Sequence, residues 1–155
     1  MDALDEFKRL YAQFYATHSD RFPGPIVPFF MQKGDQYHHS LPRCLFVGKA
    51  VNGWITISRN VDELFDMGND KRIVNRPDEI QWVEDLAGSK EHYNSRRSAF
   101  WRVTRAIAAS LFSWEDWYRH IAWTNVCKFS PEKLNPPSDL KKAQADICND
   151  LLEKD

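Results

Sequence analysis

The stretch IAWTNVCKFSP, residues 121–131, decides the fold of this chain. Its first half is a continuous apolar run, which is typical of a strand covered on both faces. Its second half turns polar and ends in a proline, so the strand is expected to end in a loop. A strand that only fills a core does not need Thr124, Asn125 and Lys128 at its tip, and we therefore expect this tip to contribute to a site.

A second buried strand is predicted over residues 43–50, RCLFVGKA, which form a short apolar run ending near a glycine. The dipeptide Asn52-Gly53 follows it and indicates a turn. Apolar residues at helical spacing and capping signals predict helices elsewhere. These helices cover residues 2–18, 60–68, 77–88, 94–112 and 136–154, and residues 20–42 are expected to be an irregular connection.

The helix over residues 94–112 has the strongest pattern, because Phe100, Val103, Ile107 and Leu111 form one apolar stripe along it, with Trp101, Ala108 and Phe112 beside this stripe. In the last helix the residues expected to face inward are Leu140, Ala143, Ile147, Leu151 and Leu152.

The order of helices and strands indicates an α/β fold, with three αβα layers around a short parallel sheet. Residues 1–42 would be an N-terminal helix and connection, and residues 43–155 the α/β portion of a single domain. Two clear strands are few for such a sheet, which is normally covered on both faces. We therefore expect the 155 residues to be one domain or a truncated part of a longer one.

Composition excludes several classes of protein. Hydrophobic residues make up 43% and charged residues 28%, as in ordinary globular domains. The net charge of −1 means that a nucleic-acid partner would have to meet a local basic patch. Three cysteines without a close pair argue for a reducing compartment. The acidic N-terminus is unlike a signal peptide and no apolar run is long enough to span a membrane, so we expect a cytoplasmic protein without a membrane partner.

The two predicted strands end in segments that together indicate a site. Ligands of α/β sheets bind at the carboxyl ends of the strands, so two parallel neighbours would present both tips to one crevice. The alternative is that Asn52-Gly53 is only a turn and that Asn125 caps backbone groups. The residues expected at the crevice are Gly48, Lys49, Asn52, Gly53 and Trp54 from the first tip, and Thr124, Asn125, Lys128 and Ser130 from the second.

These two tips resemble the uracil-DNA glycosylase superfamily, above all its iron–sulphur type. The similar segments are FVGKAVNGW and WTNVCKFSPEKLNPPSDLKKAQADICNDLL, which lie in residues 43–57 and 95–153. The resemblance implies binding of a flipped nucleobase and hydrolysis of its N-glycosidic bond by water. It places Asn125 at the base edge, Trp54 as a stacking surface, and Lys49 or Asn52 near the water. Phe46 is an alternative stacking ring or a core residue.

The chain also departs from this family. Lys49 stands where the family has a catalytic acid, and Phe129 stands where it has a cluster cysteine. A Cys-x-x-Cys motif is missing near the N-terminus, so we expect no cluster or other cofactor and interpret the three cysteines as buried apolar residues. The adjacent His38 and His39 have no partner at metal-ligand spacing, and no metal site is expected.

Arginines of the helix over residues 94–112 form a candidate contact with the nucleic-acid backbone. Arg97 and Arg105 are eight residues apart and nearly share a face, with Arg102 beside them and Lys128 as a further candidate. The alternative is a solvated helix face that is balanced by Glu115 and Asp116.

Three functions remain open at this point. The first is a glycosylase-like protein that recognises DNA or a nucleotide and, in a full-length form, is a DNA glycosylase-like hydrolase. The second is a non-catalytic module that binds nucleic acid or protein on the same scaffold. The third is an unrelated α/β domain with a protein partner. A short sheet would expose its strand edges, so the isolated chain is expected to form a homo-oligomer.

Overall fold

A computed structural model describes residues 3–22, 25–50, 60–70, 72–74, 80–132 and 134–153. Within these residues the fold is mixed α/β, with helices between the strands of two small sheets. The helices are α1 (Ala3–His18), α2 (Val61–Phe65), α3 (Trp82–Asp85), α4 (Ala99–Leu111) and α5 (Ser138–Leu152). The strands are β1 (Ile26–Pro28), β2 (Gln32–Lys33), β3 (Cys44–Gly48), β4 (Ile121–Asn125) and β5 (Phe129–Pro131).

The chain divides into two units that interleave in sequence. The terminal unit consists of Met1–Phe30, Lys49–Asn75 and Asn125–Asp155, and the central unit consists of Met31–Gly48 and Arg76–Thr124. None of the described helices is long and apolar enough to cross a membrane.

The terminal unit contains α1, the amphipathic helix that the helical spacing predicted. The apolar face of this helix packs against α2 and α5 and carries a cluster of aromatic rings. The ring of Phe14 stacks on Phe129 of β5 with 3.7 Å between centroids, and the hydroxyl of Tyr11 donates a hydrogen bond to the carbonyl of Phe29. The buried residues of α1 are Phe7, Leu10, Tyr11, Phe14 and Tyr15.

A buried side chain completes the short sheet of the terminal unit. β1 pairs with β5 in antiparallel register, with Val27 opposite Ser130. On α5, the side-chain amide of Gln144 accepts from the N–H of Phe129 at 2.9 Å and donates to the carbonyl of the same residue at 2.8 Å. The amide therefore satisfies backbone groups of β5 as a neighbouring strand would. The prediction for α5 is confirmed at Leu140, Ile147 and Leu151, while Ala143 and Leu152 are half-buried.

The central unit contains a three-stranded sheet in the order β2-β4-β3. β4 is buried along its whole length, as its continuous apolar run predicted. β2 is antiparallel to it, with Gln32 opposite Trp123, so the expectation of an all-parallel sheet is wrong. The reason is that β2 arises inside the segment expected to be irregular, and its two residues are too short to give a sequence signal.

β3 has one strand neighbour among the described strands and alternates in burial. Leu45 and Val47 are exposed, whereas Cys44 and Phe46 are half-buried. This is the pattern of an edge strand rather than of the fully buried strand that was expected. The expected self-association of the chain stays a prediction.

Helix α4 buries a different face from the apolar stripe in its sequence. Trp101, Thr104 and Ala108 are buried, whereas Val103 and Ile107 are exposed, together with Leu111 of the same stripe. The indole of Trp101 packs edge-on against Trp123 of β4 and Trp82 of α3, with ring centroids 4.9 and 5.4 Å apart. The largest side chain of the helix thus selects the face that packs on the sheet.

Candidate functional site

The segments that follow β3 and β4 lie next to each other. β3 ends at Gly48 and β4 ends at Asn125, and directly beyond them the N–H of Cys127 donates to the carbonyl of Lys49 at 2.9 Å. Because β3 and β4 are neighbours in one sheet, this bond between the residues beyond both carboxyl ends indicates that the strands are parallel. The two segments Lys49–Ala50 and Asn125–Ser130 are called the strand tips below.

Asn125 is a buried polar residue of the strand tips with an unsatisfied donor in the described part of the chain. Its side chain is 1% exposed, and its Nδ2 has no hydrogen-bond partner within the described residues. Buried polar groups are nearly always satisfied, and an unsatisfied one costs about 1–3 kcal/mol. An amide donor left in this state is a natural contact for a ligand acceptor.

Two further residues of the strand tips are buried and polar. Ser130 is fully buried on β5, and its Oγ has no hydrogen-bond partner in the part of the chain that the structure describes. Lys128 is 1% exposed, and its backbone accepts from the N–H of Phe29 and donates to the Sγ of Cys148. The Lys128 side chain is therefore buried. Its ammonium group does not reach the protein surface, and a phosphate of a nucleic-acid strand would bind at that surface.

The thiol of Cys127, at the strand tips, is poorly reactive. Burial raises the pKa of Cys127, and the nearby ammonium groups of Lys141 and Lys49 only partly oppose this shift. A thiol with a raised pKa stays protonated at neutral pH and is a poor nucleophile. Lys49 itself is exposed, so its ammonium is the accessible charge among the described residues of the first tip.

Five residues predicted at the crevice remain besides those of the strand tips. Asn52, Gly53 and Trp54 lie outside the described residues, so their roles stay predictions. Gly48 is the half-buried last residue of β3, and Thr124 is buried in β4.

The side chains that commonly ligate metal ions are not clustered in the described residues. They contain no group of three or more His, Cys, Asp or Glu side chains that could hold one. The interpretation of the cysteines as buried apolar residues holds for Cys127 and Cys148, whereas Cys44 is half-buried, and all three are free thiols.

The predicted backbone-contacting arginines lie in the central unit and differ from one another. Arg97 and Arg102 are exposed. Arg105 is half-buried, and its guanidinium forms an ion pair with Glu84, to which its Nε donates at 2.8 Å. The same carboxylate oxygen accepts from the indole Nε1 of Trp117 at 2.6 Å. Sequence reasoning missed Glu84 and Trp117, because the three residues are too far apart along the chain to form a local pattern.

Neither a protein-family model, nor a curated protein, nor a solved structure matches this chain.

Proposed function

We propose that this protein recognises a nucleobase, free or within a nucleic acid, at the strand tips of its terminal unit. The observation that carries the proposal is the buried Asn125 side chain, whose Nδ2 lacks a partner among the described residues. The hydrogen bond between Lys49 and Cys127 supports it, since both tips then border the same place. The resemblance of the two tips to the uracil-DNA glycosylase superfamily points to the same ligand class.

The chemistry of a carboxamide suits this ligand. Nδ2 donates hydrogen bonds and Oδ1 accepts them, so one Asn side chain can pair with a carbonyl and an adjacent N–H on the edge of a flat base. Uracil has such an edge. A ligand that accepts from Nδ2 of Asn125 would remove the desolvation penalty of that buried group, which favours binding.

Catalysis is a separate part of the proposal. Hydrolysis of an N-glycosidic bond requires a group that positions and activates the attacking water. Residues 48–50 and 125–130 contain no carboxylate, and Lys49 occupies the place of the acid in the family that the chain resembles. We therefore propose base recognition for this chain, and N-glycosidic hydrolysis as a DNA glycosylase-like hydrolase only for a full-length form.

Calorimetric titration with uracil and uridine tests the recognition. We expect binding by the native chain and a loss of at least tenfold in affinity for Asn125→Ala, because the ligand acceptor then loses its donor Nδ2. The exposed Asn149→Ala on α5 is the matched control and should bind like the native chain. Equal affinity of the Asn125 variant and the native chain would refute the proposal.

A second candidate function is a non-catalytic interaction module on the same scaffold, favoured by the missing carboxylate. Strand scission after alkali treatment of uracil-containing single- and double-stranded oligonucleotides distinguishes the two. Binding without abasic sites supports the module, whereas abasic sites that disappear in the Asn125→Ala variant support the enzyme.

A further inference from the structure

A cleft in the central unit carries cationic and aromatic side chains that the strand-tip proposal does not use. It encloses about 290 Å³ and is bordered by Arg96, Arg102 and Arg105 together with the indoles of Trp101 and Trp114. This volume is just below the range of small-molecule sites, about 300–1,000 Å³, and suits one flat ring with its attached groups. Arg97, although adjacent to Arg96, is not among the lining residues.

The three arginines of the cleft differ in the contacts that their guanidinium groups form. Arg105 is bound to the Glu84 carboxylate, and its guanidinium carbon lies 5.9 Å from the ring centroids of both Trp114 and Trp117. It is therefore a structural cation that holds these indoles in position and is largely neutralised. Arg96 and Arg102 are exposed and form no ion pair in the described part of the chain, so their charges are available to an anionic ligand.

Trp114 supplies an accessible aromatic surface next to these charges. Its side chain is 67% exposed, although large apolar side chains of this kind are usually covered. The contact with the Arg105 guanidinium fixes one side of the ring. A guanidinium-anchored indole with an open face is a ready platform on which a planar ring can stack.

We infer that this cleft binds single-stranded nucleic acid, with one base stacked on Trp114 and neighbouring phosphates at Arg96 and Arg102. Sequence-independent binding of single strands combines cationic side chains along the backbone with aromatic rings beneath the bases, and the cleft contains both. An acidic peptide would use the two arginines but not the open indole. The inference concerns the central unit alone and does not rest on the strand-tip proposal.

Fluorescence anisotropy of a labelled oligothymidylate, measured over a range of salt concentrations, tests the inference. Two phosphate contacts on a single strand give a slope of log affinity against log salt of about −1.4, or about −0.7 for each contact. Arg96→Gln and Arg102→Gln should each reduce the slope by about 0.7, and the double variant should abolish it. The exposed Lys90→Gln, outside the cleft, is the control and should leave the slope unchanged.

The contribution of stacking is measured with Trp114. Trp114→Ala should weaken binding about 5- to 140-fold, which corresponds to 1–3 kcal/mol for one stacked base, while Trp114→Phe should retain most of the affinity. An abasic oligomer of the same length should bind the native chain as weakly as oligothymidylate binds Trp114→Ala. The inference is overturned if the native chain does not bind the oligonucleotide, if the Arg96 and Arg102 variants bind normally, or if polyglutamate and the abasic oligomer bind as well as oligothymidylate.

Discussion

Removing the carboxylate of Glu84 should destabilise the central unit through two separate losses. In Glu84→Ala, the indole N–H of Trp117, which is fully buried, loses its acceptor at a cost of about 1–3 kcal/mol. The ion pair with Arg105 is also lost. In this pair the side chain of Arg105 is 18% exposed and the side chain of Glu84 is 30% exposed. A pair at this depth lies between exposed pairs, worth about 0–1 kcal/mol, and buried ones, whose breakage costs about 3–5 kcal/mol.

The two losses together predict that Glu84→Ala lowers the free energy of unfolding by about 3 kcal/mol. For a chain of this size the melting temperature would then fall by about 6–12 °C. Glu84→Gln keeps an oxygen acceptor for the Trp117 N–H and loses only the charge, so we expect about 1 kcal/mol for this variant.

Tryptophan fluorescence during urea denaturation is the appropriate assay, because five of the six tryptophans lie in the central unit. The exposed Glu91→Ala serves as the matched control, since it removes a carboxylate with no described partner, and should change stability by less than about 0.5 kcal/mol. If Glu84→Ala proves as harmless as Glu91→Ala, or if the Gln variant is as damaging as the Ala variant, the reasoning is refuted.

Further predictions concern packing, hydrogen bonding, pH and thiol reactivity. A Cβ at Gly34 would collide with backbone atoms of the segment before β4, so Gly34→Ala should destabilise by more than about 3 kcal/mol in thermal melts, whereas Gly68→Ala, with only an ordinary contact, should be near neutral. In Gln144→Leu, the backbone N–H and carbonyl of the β5 residue that is hydrogen-bonded to the Gln144 amide both lose this partner. The free energy of unfolding measured in urea titrations should fall by about 2–5 kcal/mol. A bidentate arginine contact lowers the pKa of Asp35 from 3.8 to about 2. The stabilisation that the ionised Asp35 carboxylate contributes is therefore complete above about pH 4 and is lost as the pH falls towards 2. The difference in stability between the native chain and Asp35→Asn should disappear over that interval. The raised pKa of Cys127 predicts that an aromatic disulfide reagent labels this thiol only slowly at pH 7 in the native chain, and rapid labelling detected by peptide mass spectrometry would contradict this.

The elements that the sequence predicted well are those with a long local pattern. The helical spacing of α1 and the continuous apolar run of β4 each extend over enough residues to specify the element and its burial. β1, β2 and β5 contain only three, two and three residues, and they form because partners distant in sequence satisfy their backbone groups. Such short strands carry too little periodicity to be recognised.

Helix α4 shows why the buried face of a helix can differ from its apolar stripe. The stripe through Val103 and Ile107 is as hydrophobic as a core face, yet the structure buries Trp101 and Thr104. The outcome depends on the indoles of α3 and β4 that meet Trp101, and these lie about twenty residues away on either side. A local pattern contains no information about such partners.

The proximity of the two strand ends could be predicted from the sequence, but the hydrogen bonding of their side chains could not. The rule that ligands bind at strand ends led to Lys49 and Asn125, which the structure places at the ends of two neighbouring strands. Whether an Asn is a backbone cap or an unsatisfied donor depends on the groups around it in space. The sequence likewise does not show that Arg105, unlike Arg102, forms an ion pair with Glu84, because this pair depends on the distance between the two side chains in space.

Recognition of a nucleobase by Asn125 can be observed in the side-chain amide resonances of this residue during a ¹H–¹⁵N NMR titration with uracil. Assignment would use the signal missing from Asn125→Ala. We expect the resonances of the Nδ2 protons to shift on saturation, as a buried donor acquires an acceptor, while those of the exposed Asn149 amide do not move. Saturable binding with unchanged Asn125 amide resonances, or no binding at all, would contradict this expectation.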